Sequence, residues 1–195
     1  MRGESIDLTT KASAAQRRAL GIGHVPEDRH ARGLVMAFQT WENTAFGYHN
    51  NPEFSKKFGM ADQKAMLEDA KAKIEKFDIR PTNPNLMASD YSGGNQQKIV
   101  IAREIENNPD VLLIGQPTRG VDIGAIEFIH KQIVELRDQG KAVLLVSVEL
   151  EEILALSDRI IVMFDGIIQG ERLPENTNEQ ELGMLMAGMD PEAST

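Results

Sequence analysis

Residues 92–122 read SGGNQQKIVIAREIENNPDVLLIGQPTRGVD, and the order of elements in this stretch indicates the fold class. Apolar residues at helical spacing predict a helix from Ser92 to about Asn107. The apolar run Val111–Ile114, which ends at Gly115, is typical of a strand buried on both faces. A glycine loop, a helix and a buried strand in succession favour an α/β fold.

Helices and strands alternate along the chain after this stretch. A helix is predicted up to Gly140, and the apolar run Ala142–Val146 predicts a second buried strand. A helix at Leu150–Leu156 and a strand at Ile160–Met163 follow, and Asp165-Gly166 predicts a hairpin turn into a last strand. This order implies right-handed crossovers and a mostly parallel sheet.

Local signals elsewhere extend this pattern. Upstream, the sequence predicts strands at Ser5–Leu8 and Gly21–Val25, and between them a capping box of Ser13 and Gln16 that opens a brief helix. The second strand is followed by a charged loop without regular structure at Pro26–Gly33. An amphipathic helix is predicted at Ala61–Phe77. After Leu173 the sequence turns polar, and Thr177 with Gln180 predicts a capped helix through Leu185.

The composition limits the class of protein. With 195 residues and 41% hydrophobic content, one sizeable core with minor appendages is expected. The net charge of -9 disfavours duplex nucleic acid as a partner, because such binding depends on lysine and arginine at phosphates. The absence of cysteine excludes disulfides and thiolate metal sites. No run approaches the roughly 20 apolar residues of a membrane span, so a membrane role must pass through a partner.

The segment that carries chemistry is Ser92-Gly93-Gly94-Asn95-Gln96-Gln97. A helix N-terminus leaves its first amide donors unpaired and carries a partial positive charge, so it attracts anions. Two glycines let a phosphate approach the backbone without an intervening side chain, and the hydroxyl and amide side chains add polar groups. On local sequence alone, an N-cap serine followed by a flexible turn explains the segment equally well.

A wider set of motifs resembles the ATP-binding domains of ABC transporters. In that family a signature loop reads Leu-Ser-Gly-Gly-Gln, and a Walker B strand runs into Asp-Glu-Pro-Thr; here residues 92–97, Val111–Ile114 and Pro117–Asp122 follow the same order. The resemblance continues through Leu156-Ser157-Asp158-Arg159 and the hairpin at Gly166, so it covers nearly the whole chain. It implies a P-loop NTPase type of α/β fold, with a mostly parallel sheet flanked by helices and a helical signature subdomain.

The resemblance also implies which residues bind nucleotide. In the family two domains form a head-to-tail dimer, and each ATP lies between the Walker A loop of one domain and the signature loop of the other. The signature loop here, residues 92–97, would bind the γ-phosphate of ATP held by the opposite domain, through Ser92, Gly93, Gly94, Asn95 and Gln96. Asp122 would face the same interface from the D-loop, residues 117–122, and Glu27 falls at the Q-loop position.

Departures from the family pattern fall at its catalytic positions. Gly115 stands where the Walker B aspartate belongs, Gln116 where the catalytic glutamate belongs, and Val148 where the switch histidine belongs. Glycine offers no side-chain oxygen to Mg²⁺, and glutamine does not accept a proton from water at neutral pH. We therefore expect no catalytic residue in this chain, which would be a degenerate half, inactive alone.

The sequence also contains no phosphate-binding loop of the form Gly-x-x-x-x-Gly-Lys-Ser/Thr. In the family that loop lies upstream of a strand like Ser5–Leu8, so the resemblance implies that the chain begins after it, as a fragment or an abbreviated gene product. We accordingly expect a fold that is incomplete at the N-terminus and leaves apolar surface exposed. A partner, or marginal stability, is the expected consequence.

Domain division, cofactors and partners follow from the same resemblance. A partial nucleotide-binding domain is expected at residues 1–173, with the helical subdomain at about 40–107, and a polar tail with a short helix at 174–195. ATP would be shared across the dimer interface, with Mg²⁺ held by the partner domain and no metal site here. Expected partners are the N-terminal nucleotide-binding domain of the same subunit or a second copy, transmembrane permease subunits and, indirectly, a solute-binding protein. The protein would lie peripherally at the cytoplasmic face of the cell membrane.

Three functions remain open on these grounds. The signature loop and D-loop look like the C-terminal half of tandem ATPase subunits in importers of simple sugars and nucleosides, which favours a signature-donating role. A self-sufficient ABC ATPase is opposed by the residues at 115, 116 and 148, and a non-transport ABC-like module is opposed by the shortness of the helix Ala61–Phe77.

Some residues have an ordinary interpretation. The stretch from Glu27 to about Gly47 resembles the surface that docks on a membrane-domain helix, and Trp41 within it is either a docking anchor or, as we favour, part of the core. The four histidines show no metal-ligand spacing. Glu149, Glu151 and Glu152 are interpreted as the solvated face of a short helix.

Overall fold

The structure of the chain is a computed structural model that describes residues 12–56 and 60–189. It divides into two compact units, Met1–Leu144 and Leu145–Thr195. The predicted strand at Ser5–Leu8 lies outside the described residues, and the predicted domain division at residue 173 stays a prediction. Within the described ranges, no helix has the length and apolar character needed to span a membrane.

Among the described residues, the first unit contains the predicted helices and strands in order and one short helix, Thr40–Ala45, that was not predicted. Its elements are α1 (Ala14–Ala19), β1 (Ile22–Val25), α2 (Thr40–Ala45), α3 (Gln63–Lys76), α4 (Gly93–Glu106), β2 (Val111–Gly115), α5 (Ile123–Asp138) and β3 (Ala142–Val146), the last of which runs across the boundary between the units. The predicted capping box of Ser13 and Gln16 is confirmed at the start of α1. The helix predicted after Ser92 is confirmed as α4, for which Ser92 is the N-cap.

The strands of this unit form one sheet in the order β1-β2-β3. Strands β1 and β2 are parallel, with Val25 opposite Ile114, so the segments that follow both strands leave the sheet at the same edge. Leu112 and Ile114 are buried, whereas Val111 and Leu113 are only half-buried, so the predicted burial of β2 on both faces holds for one face.

The predicted burial of β3 is wrong. Leu144 is 57% exposed and Val146 is 59% exposed. Because β3 is an edge strand of the described sheet, it lacks a neighbouring strand on one side. Apolar surface is therefore left exposed at this edge.

The predicted irregular loop at Pro26–Gly33 is also corrected. Residues Arg29–Gly33 form one turn of π-helix, closed by a hydrogen bond from the Leu34 N–H to the Arg29 carbonyl at 2.7 Å. Asp28 caps this turn, because its Oδ1 accepts from the N–H groups of His30 and Ala31. These hydrogen bonds, that of Ala31 first, lower the pKa of Asp28. The side-chain cap offsets the glycine and proline that disfavour regular structure.

A buried ion pair fixes α4 against the segments around β1. Arg103 and Glu104 are 2% and 1% exposed, and Arg103 Nε donates to Glu104 Oε1 at 2.8 Å. Arg103 Nη1 also donates to the carbonyls of Gly33 and Asn43, while Glu104 Oε2 accepts from the Tyr48 hydroxyl at 2.7 Å. A buried ion pair is retained at low cost only when its remaining donors and acceptors are paired in this way. The network therefore sets the position of α4 in the unit.

Helices α2 and α3 pack against each other beside α4. Ala45, Phe54 and Met66 form a buried cluster, against which Trp41 packs. The indole N–H of Trp41 donates to Gln39 Oε1 at 2.6 Å. Trp41 is thus partly buried against the core of this helical region, which agrees better with the core interpretation than with a docking anchor.

The second unit is built on a hairpin. Its elements are α6 (Leu150–Leu156), β4 (Ile160–Phe164), β5 (Ile167–Arg172) and α7 (Glu179–Met186), and the predicted hairpin turn at Asp165-Gly166 is confirmed. Strand β4 pairs antiparallel with β5 in a separate two-stranded sheet, so its expected place in the parallel sheet is not observed among the described residues. Leu182 and Leu185 of α7 pack on Ile160 and Val162.

Two local predictions in this unit are corrected. Glu152 is 4% exposed rather than solvated, because it lies on the inward face of α6, whereas Glu149 and Glu151 are exposed. Asn178, not Thr177, is the N-cap of α7, and its Oδ1 accepts from the Glu181 N–H at 3.0 Å. The Thr177 hydroxyl donates instead to the Glu181 carboxylate at 2.7 Å.

Candidate functional site

The N-terminus of α4 presents an exposed polar edge. Ser92 is exposed and extended, with φ −62° and ψ 158°, and α4 runs for 14 residues behind it. The first amide groups of a helix lack intrahelical partners, and the aligned peptide dipoles add partial positive charge at this end. A helix N-terminus of this kind favours an anionic oxygen as a ligand.

The two glycines of the signature loop are required by packing within the chain. A Cβ atom on Gly93 would lie 2.7 Å from the carbonyl oxygen of Gly120, and one on Gly94 would lie 2.6 Å from Asp122 Oδ2 and 3.0 Å from the Ala125 Cβ. The sequence argument assigned these glycines to phosphate approach alone. The structure adds a second reason, which is the close approach of the D-loop.

Asn95 connects the signature loop to the segment before it. Its Oδ1 accepts from the Arg80 backbone N–H at 2.7 Å, and its Nδ2 donates to Ser92 Oγ at 2.9 Å. Asn95 therefore contacts the serine that forms the exposed edge.

Gln96 has an internal role in the described structure. Its side chain is 5% exposed, and Nε2 donates to the carbonyls of Ala88 and Tyr91, both at 3.0 Å. Its Oε1 must then accept, so His30 Nε2, 2.8 Å away, is the donor. This side chain is used inside the protein, in contrast to the phosphate contact that the resemblance implied for it.

The post-β1 segment, residues 26–34, contacts the D-loop through an ion pair and two hydrogen bonds. Glu27 forms an ion pair with Arg119, with Oε1 and Nη1 2.6 Å apart. Arg29 donates from Nη1 to the Arg119 carbonyl at 2.9 Å and from Nη2 to the Gly120 carbonyl at 3.4 Å. Burial lowers the pKa of the Arg29 guanidinium. Glu27, at the Q-loop position, thus lies beside the D-loop, and Arg29 fastens its backbone.

Asp122 lies where the D-loop meets the N-termini of α4 and α5. Its Oδ1 caps α5 by accepting from the Ala125 N–H at 3.0 Å, while its Oδ2 lies against Gly94. Gly120 has φ +66°, a left-handed conformation that favours glycine, just before this turn. The structure therefore brings Asp122, Glu27 and the signature loop into one cluster.

The end of β2 offers nothing that fits a magnesium ion. Gly115 has no side chain, and Gln116, with φ +47°, contributes an amide rather than a carboxylate. A Cβ atom on Gly115 would lie 3.3 Å from the Glu27 backbone nitrogen, so this position is beside the Q-loop residue. In the described part of the chain, no three His, Asp or Glu side chains are grouped to hold a metal. Val148 lies in the second unit and is 60% exposed.

Sequence reasoning missed three residues of this cluster. Arg29, His30 and Arg80 each contact the signature loop or the D-loop through a hydrogen bond. The histidine was considered only for metal spacing, and the arginine at position 29 was assigned to a charged loop. For Arg29 and His30 the available signal was the density of charged residues at 27–32, between the strand β1 and Gly33; Arg80, which bonds through its backbone N–H, had no such signal.

The family is given by a match to a family model. The model described as ABC transporter matches residues 2–119, which is more than half of the chain. The matched range contains the post-β1 segment, the signature loop and the end of β2.

Curated relatives include import ATP-binding proteins that are named for different solutes. The chain is 53% identical over 167 residues to the nucleoside import ATP-binding protein NupA of Lactococcus lactis subsp. cremoris, and this match covers 86% of the chain and 33% of the relative. It is 51% identical over 169 residues to the guanosine import ATP-binding protein NupO of Bacillus subtilis, again covering 86% and 33%. It is 40% identical over 185 residues to the ribose import ATP-binding protein RbsA of Bacillus licheniformis, covering 95% and 36%. The chain spans about a third of the length of these relatives.

Solved structures share the fold. A dimeric ATP-binding cassette in a post-hydrolysis state bound to ADP and Pi matches with a TM-score of 0.65 and 25% identity, over 80% of this chain and 64% of that one. A nucleotide-free ATP-binding cassette from an ABC transporter matches with a TM-score of 0.67 and 24% identity, over 92% and 69%. The α/β fold of the P-loop NTPase type, with a parallel sheet and flanking helices, is confirmed. Together with the family match, this means that the chain belongs to the ABC transporter family, among its ATP-binding domains.

Proposed function

We propose that this chain is the C-terminal, degenerate ATP-binding half of an ABC importer, and that it donates its signature loop to ATP held by a partner domain. The observation that carries the proposal is an exposed helix N-terminus next to a strand end without carboxylates. The first can bind a phosphate, and the second cannot hold the magnesium ion that hydrolysis needs. The domain division at residue 173 and the helical subdomain at 40–107 belong to the same proposal.

The residues of the signature loop bind and orient a phosphate rather than transform it. The hydroxyl of Ser92 and the backbone N–H groups of Gly93 and Gly94 are donors at one edge, and donors fixed before the reaction stabilise developing negative charge without reorganisation. Mg²⁺ and the attacking water are supplied by the partner domain. ATP is therefore shared between the two domains.

The solute class is proposed from the relatives. Those named for nucleoside and guanosine import are 53% and 51% identical to this chain, whereas the ribose import relative of Bacillus licheniformis is 40% identical. We infer import of nucleosides, with simple sugars as the related class.

Exposed aromatic residues support a permease partner. Phe38 is 38% exposed and Phe46 is 43% exposed, and their rings pack edge to face with centroids 6.3 Å apart. Both lie in the stretch that resembles a docking surface for a membrane-domain helix, and exposed apolar patches on soluble proteins mark such contacts. The partners are the N-terminal domain of the same subunit or a second copy, permease subunits and, indirectly, a solute-binding protein. The protein would act at the cytoplasmic face of the membrane, without nucleic acid.

The test places this sequence in its full-length subunit, assembled with the permease. Ser92→Arg puts a bulky side chain where the phosphate meets the backbone, so we expect ATP turnover to fall by about 100-fold, the loss typical of one transition-state donor. Val148→His, in a site without its other catalytic groups, is expected to change turnover less than about 2-fold. Steady-state phosphate release measures both.

The matched control is Ser55→Arg, since Ser55 is an exposed serine in the same unit whose hydroxyl donates to the Asn51 carbonyl. It is expected to leave turnover unchanged. A silent Ser92→Arg together with a strongly activating Val148→His would contradict the proposal, and this half would then need a catalytic site of its own.

A further inference from the structure

The hydroxyl group of Ser92 has its acceptor positions filled from within the chain. Its Oγ accepts from the Asn95 backbone N–H at 3.5 Å and from Asn95 Nδ2 at 2.9 Å. A serine hydroxyl has two acceptor positions and one donor hydrogen. With both acceptor positions directed at Asn95, the hydrogen is left to point away from the loop, on the exposed side of Ser92.

The orientation of the Asn95 amide is fixed by a third group. The Arg80 backbone N–H is a donor only, and it lies 2.7 Å from Asn95 Oδ1. The oxygen of the amide must therefore face Arg80 and the nitrogen must face Ser92. The reverse orientation would set two donors against each other at Arg80 and leave Ser92 to donate inward.

We propose that Asn95 is a positioning residue that presents the Ser92 hydroxyl outward as a hydrogen-bond donor to a phosphate oxygen of the ATP held by the partner domain. The proposal rests on the proposed signature-donor function and specifies how its serine is prepared. Asn95 acts through Ser92 and not by contact with the phosphate. A hydroxyl that is already oriented does not have to reorganise when the phosphate arrives.

The chemistry of substitutions at Asn95 distinguishes this role. Asn95→Ala removes both side-chain hydrogen bonds and keeps only the backbone N–H bond to Ser92 Oγ, so one acceptor position of the hydroxyl is empty and its hydrogen is no longer held outward. Asn95→Asp keeps the acceptor for the Arg80 N–H but replaces the donor with a carboxylate oxygen, toward which the Ser92 hydroxyl then turns. Both variants lower the fraction of Ser92 hydroxyls that point outward.

The experiment is a double-mutant cycle on ATP turnover in the assembled importer, with Mg-ATP as the ligand. In the wild-type background, Asn95→Ala and Asn95→Asp are each expected to reduce turnover by about 10-fold, the effect of one hydrogen bond of ordinary net strength. In the Ser92→Ala background the same Asn95→Ala change is expected to cost less than about 2-fold, because residues that act as a unit are not additive. In the Ser92→Thr background, which keeps a hydroxyl, the loss of about 10-fold is expected to return.

Asn85→Ala is the matched control, because Asn85 is an exposed asparagine of the preceding segment whose backbone N–H, kept in the variant, donates to Asn83 Oδ1. It is expected to leave turnover unchanged in every background. Equal losses from Asn95→Ala with and without the serine hydroxyl, or full turnover in Asn95→Asp, would overturn the positioning role while the signature-donor function stands. If Ser92→Ala and Ser92→Arg are both silent, the signature-donor function itself is wrong.

Discussion

Gly94 shows at the residue scale how packing and ligand chemistry select the same residue. The proposed approach of a phosphate to the exposed side of the loop favours a residue without a side chain at this position. The Asp122 carboxylate, which packs against Gly94 from within the chain, favours it as well. A Cβ atom there would meet Asp122 Oδ2 at 2.6 Å and the Ala125 Cβ at 3.0 Å. The carboxylate also caps α5, so it does not move without losing that hydrogen bond.

Gly94→Ala is therefore expected to lower the free energy of unfolding by about 1–3 kcal/mol, as overpacking does in a closely packed region. Urea unfolding of the 195-residue chain measures the change. Gly124→Ala is the control, because a Cβ atom at that position meets Asp122 Oδ1 at an ordinary 3.5 Å. Equal stability of the two variants would mean that the D-loop yields to a methyl group.

Tyr48 gives the fold a dependence on alkaline pH. Burial, followed by the Glu104 carboxylate that accepts its hydrogen bond, raises the pKa of Tyr48, and the Arg18 guanidinium 5.0 Å above the ring opposes this shift. Below about pH 10 the tyrosine is neutral in both states, so its contribution to stability is complete. Above that pH the unfolded chain releases the proton and the folded chain retains it, so the free energy of unfolding falls.

Tyr48→Phe is expected to flatten this fall, with the two proteins converging as the pH rises from 8 toward 11. The difference between their free energies of unfolding at pH 8 reports the lost hydrogen bond, and the differences at higher pH are compared with this value. Urea unfolding at a series of pH values provides the measurement, and parallel curves for the two proteins would rule out the role of Tyr48. Burial also raises the pKa of Tyr91, which leaves a residual slope in the variant.

The π-helical turn Arg29–Gly33 is the element that joins the signature loop to the D-loop. Arg29 reaches the carbonyls of Arg119 and Gly120, and His30 donates to Gln96. The planar guanidinium donates to the two carbonyls from two separate nitrogens in a fixed geometry, whereas an ammonium group has a single nitrogen from which to reach both. A single turn thereby contacts both loops.

Arg29→Lys is expected to loosen the D-loop. Amide hydrogen exchange in a peptide covering residues 116–122 should become about 10-fold faster, since local opening follows the loss of a few hydrogen bonds. The control is Arg32→Lys, which alters an exposed arginine of the same turn. Unchanged exchange in Arg29→Lys would show that the Glu27–Arg119 ion pair holds the loop by itself.

Elements with strong local signals were predictable from the sequence, and those that depend on distant neighbours were not. The boundaries of α4 follow from the Ser92 cap and the spacing of its apolar residues, and the hairpin follows from Asp165-Gly166. The burial of β3 was not predictable, because it depends on which strands flank it. At the candidate site, the motif predicted roles for Ser92 to Asn95 and for Asp122 that stay predictions, and the structure shows that these residues lie close together. The internal use of Gln96 depends on His30, 66 residues away, which no local pattern reveals.

At the scale of the whole molecule, the ability to present a phosphate donor is separate from the ability to hydrolyse ATP. Hydrolysis requires a cradle for the phosphates, a magnesium ligand and a base for water. The described residues supply one donor edge at α4, whereas the end of β2 carries Gly115 and Gln116, and the sequence contains no Gly-x-x-x-x-Gly-Lys-Ser/Thr. Turnover by the isolated chain is therefore expected to stay at background.

Restoring both carboxylates, by Gly115→Asp together with Gln116→Glu, is expected to leave the 195-residue chain without ATPase activity, because its sequence contains no phosphate-binding loop of the form Gly-x-x-x-x-Gly-Lys-Ser/Thr. The first side-chain atom of the new aspartate fits at a small cost, since a Cβ atom at 115 lies 3.3 Å from the Glu27 nitrogen and 3.5 Å from its Cβ. Phosphate release with Mg-ATP measures turnover, and urea unfolding of the same preparation checks that the double variant is folded. Turnover that appears with both carboxylates and vanishes on reverting either one would reveal a phosphate cradle within this chain, and its residues would then have to be sought beyond the signature loop.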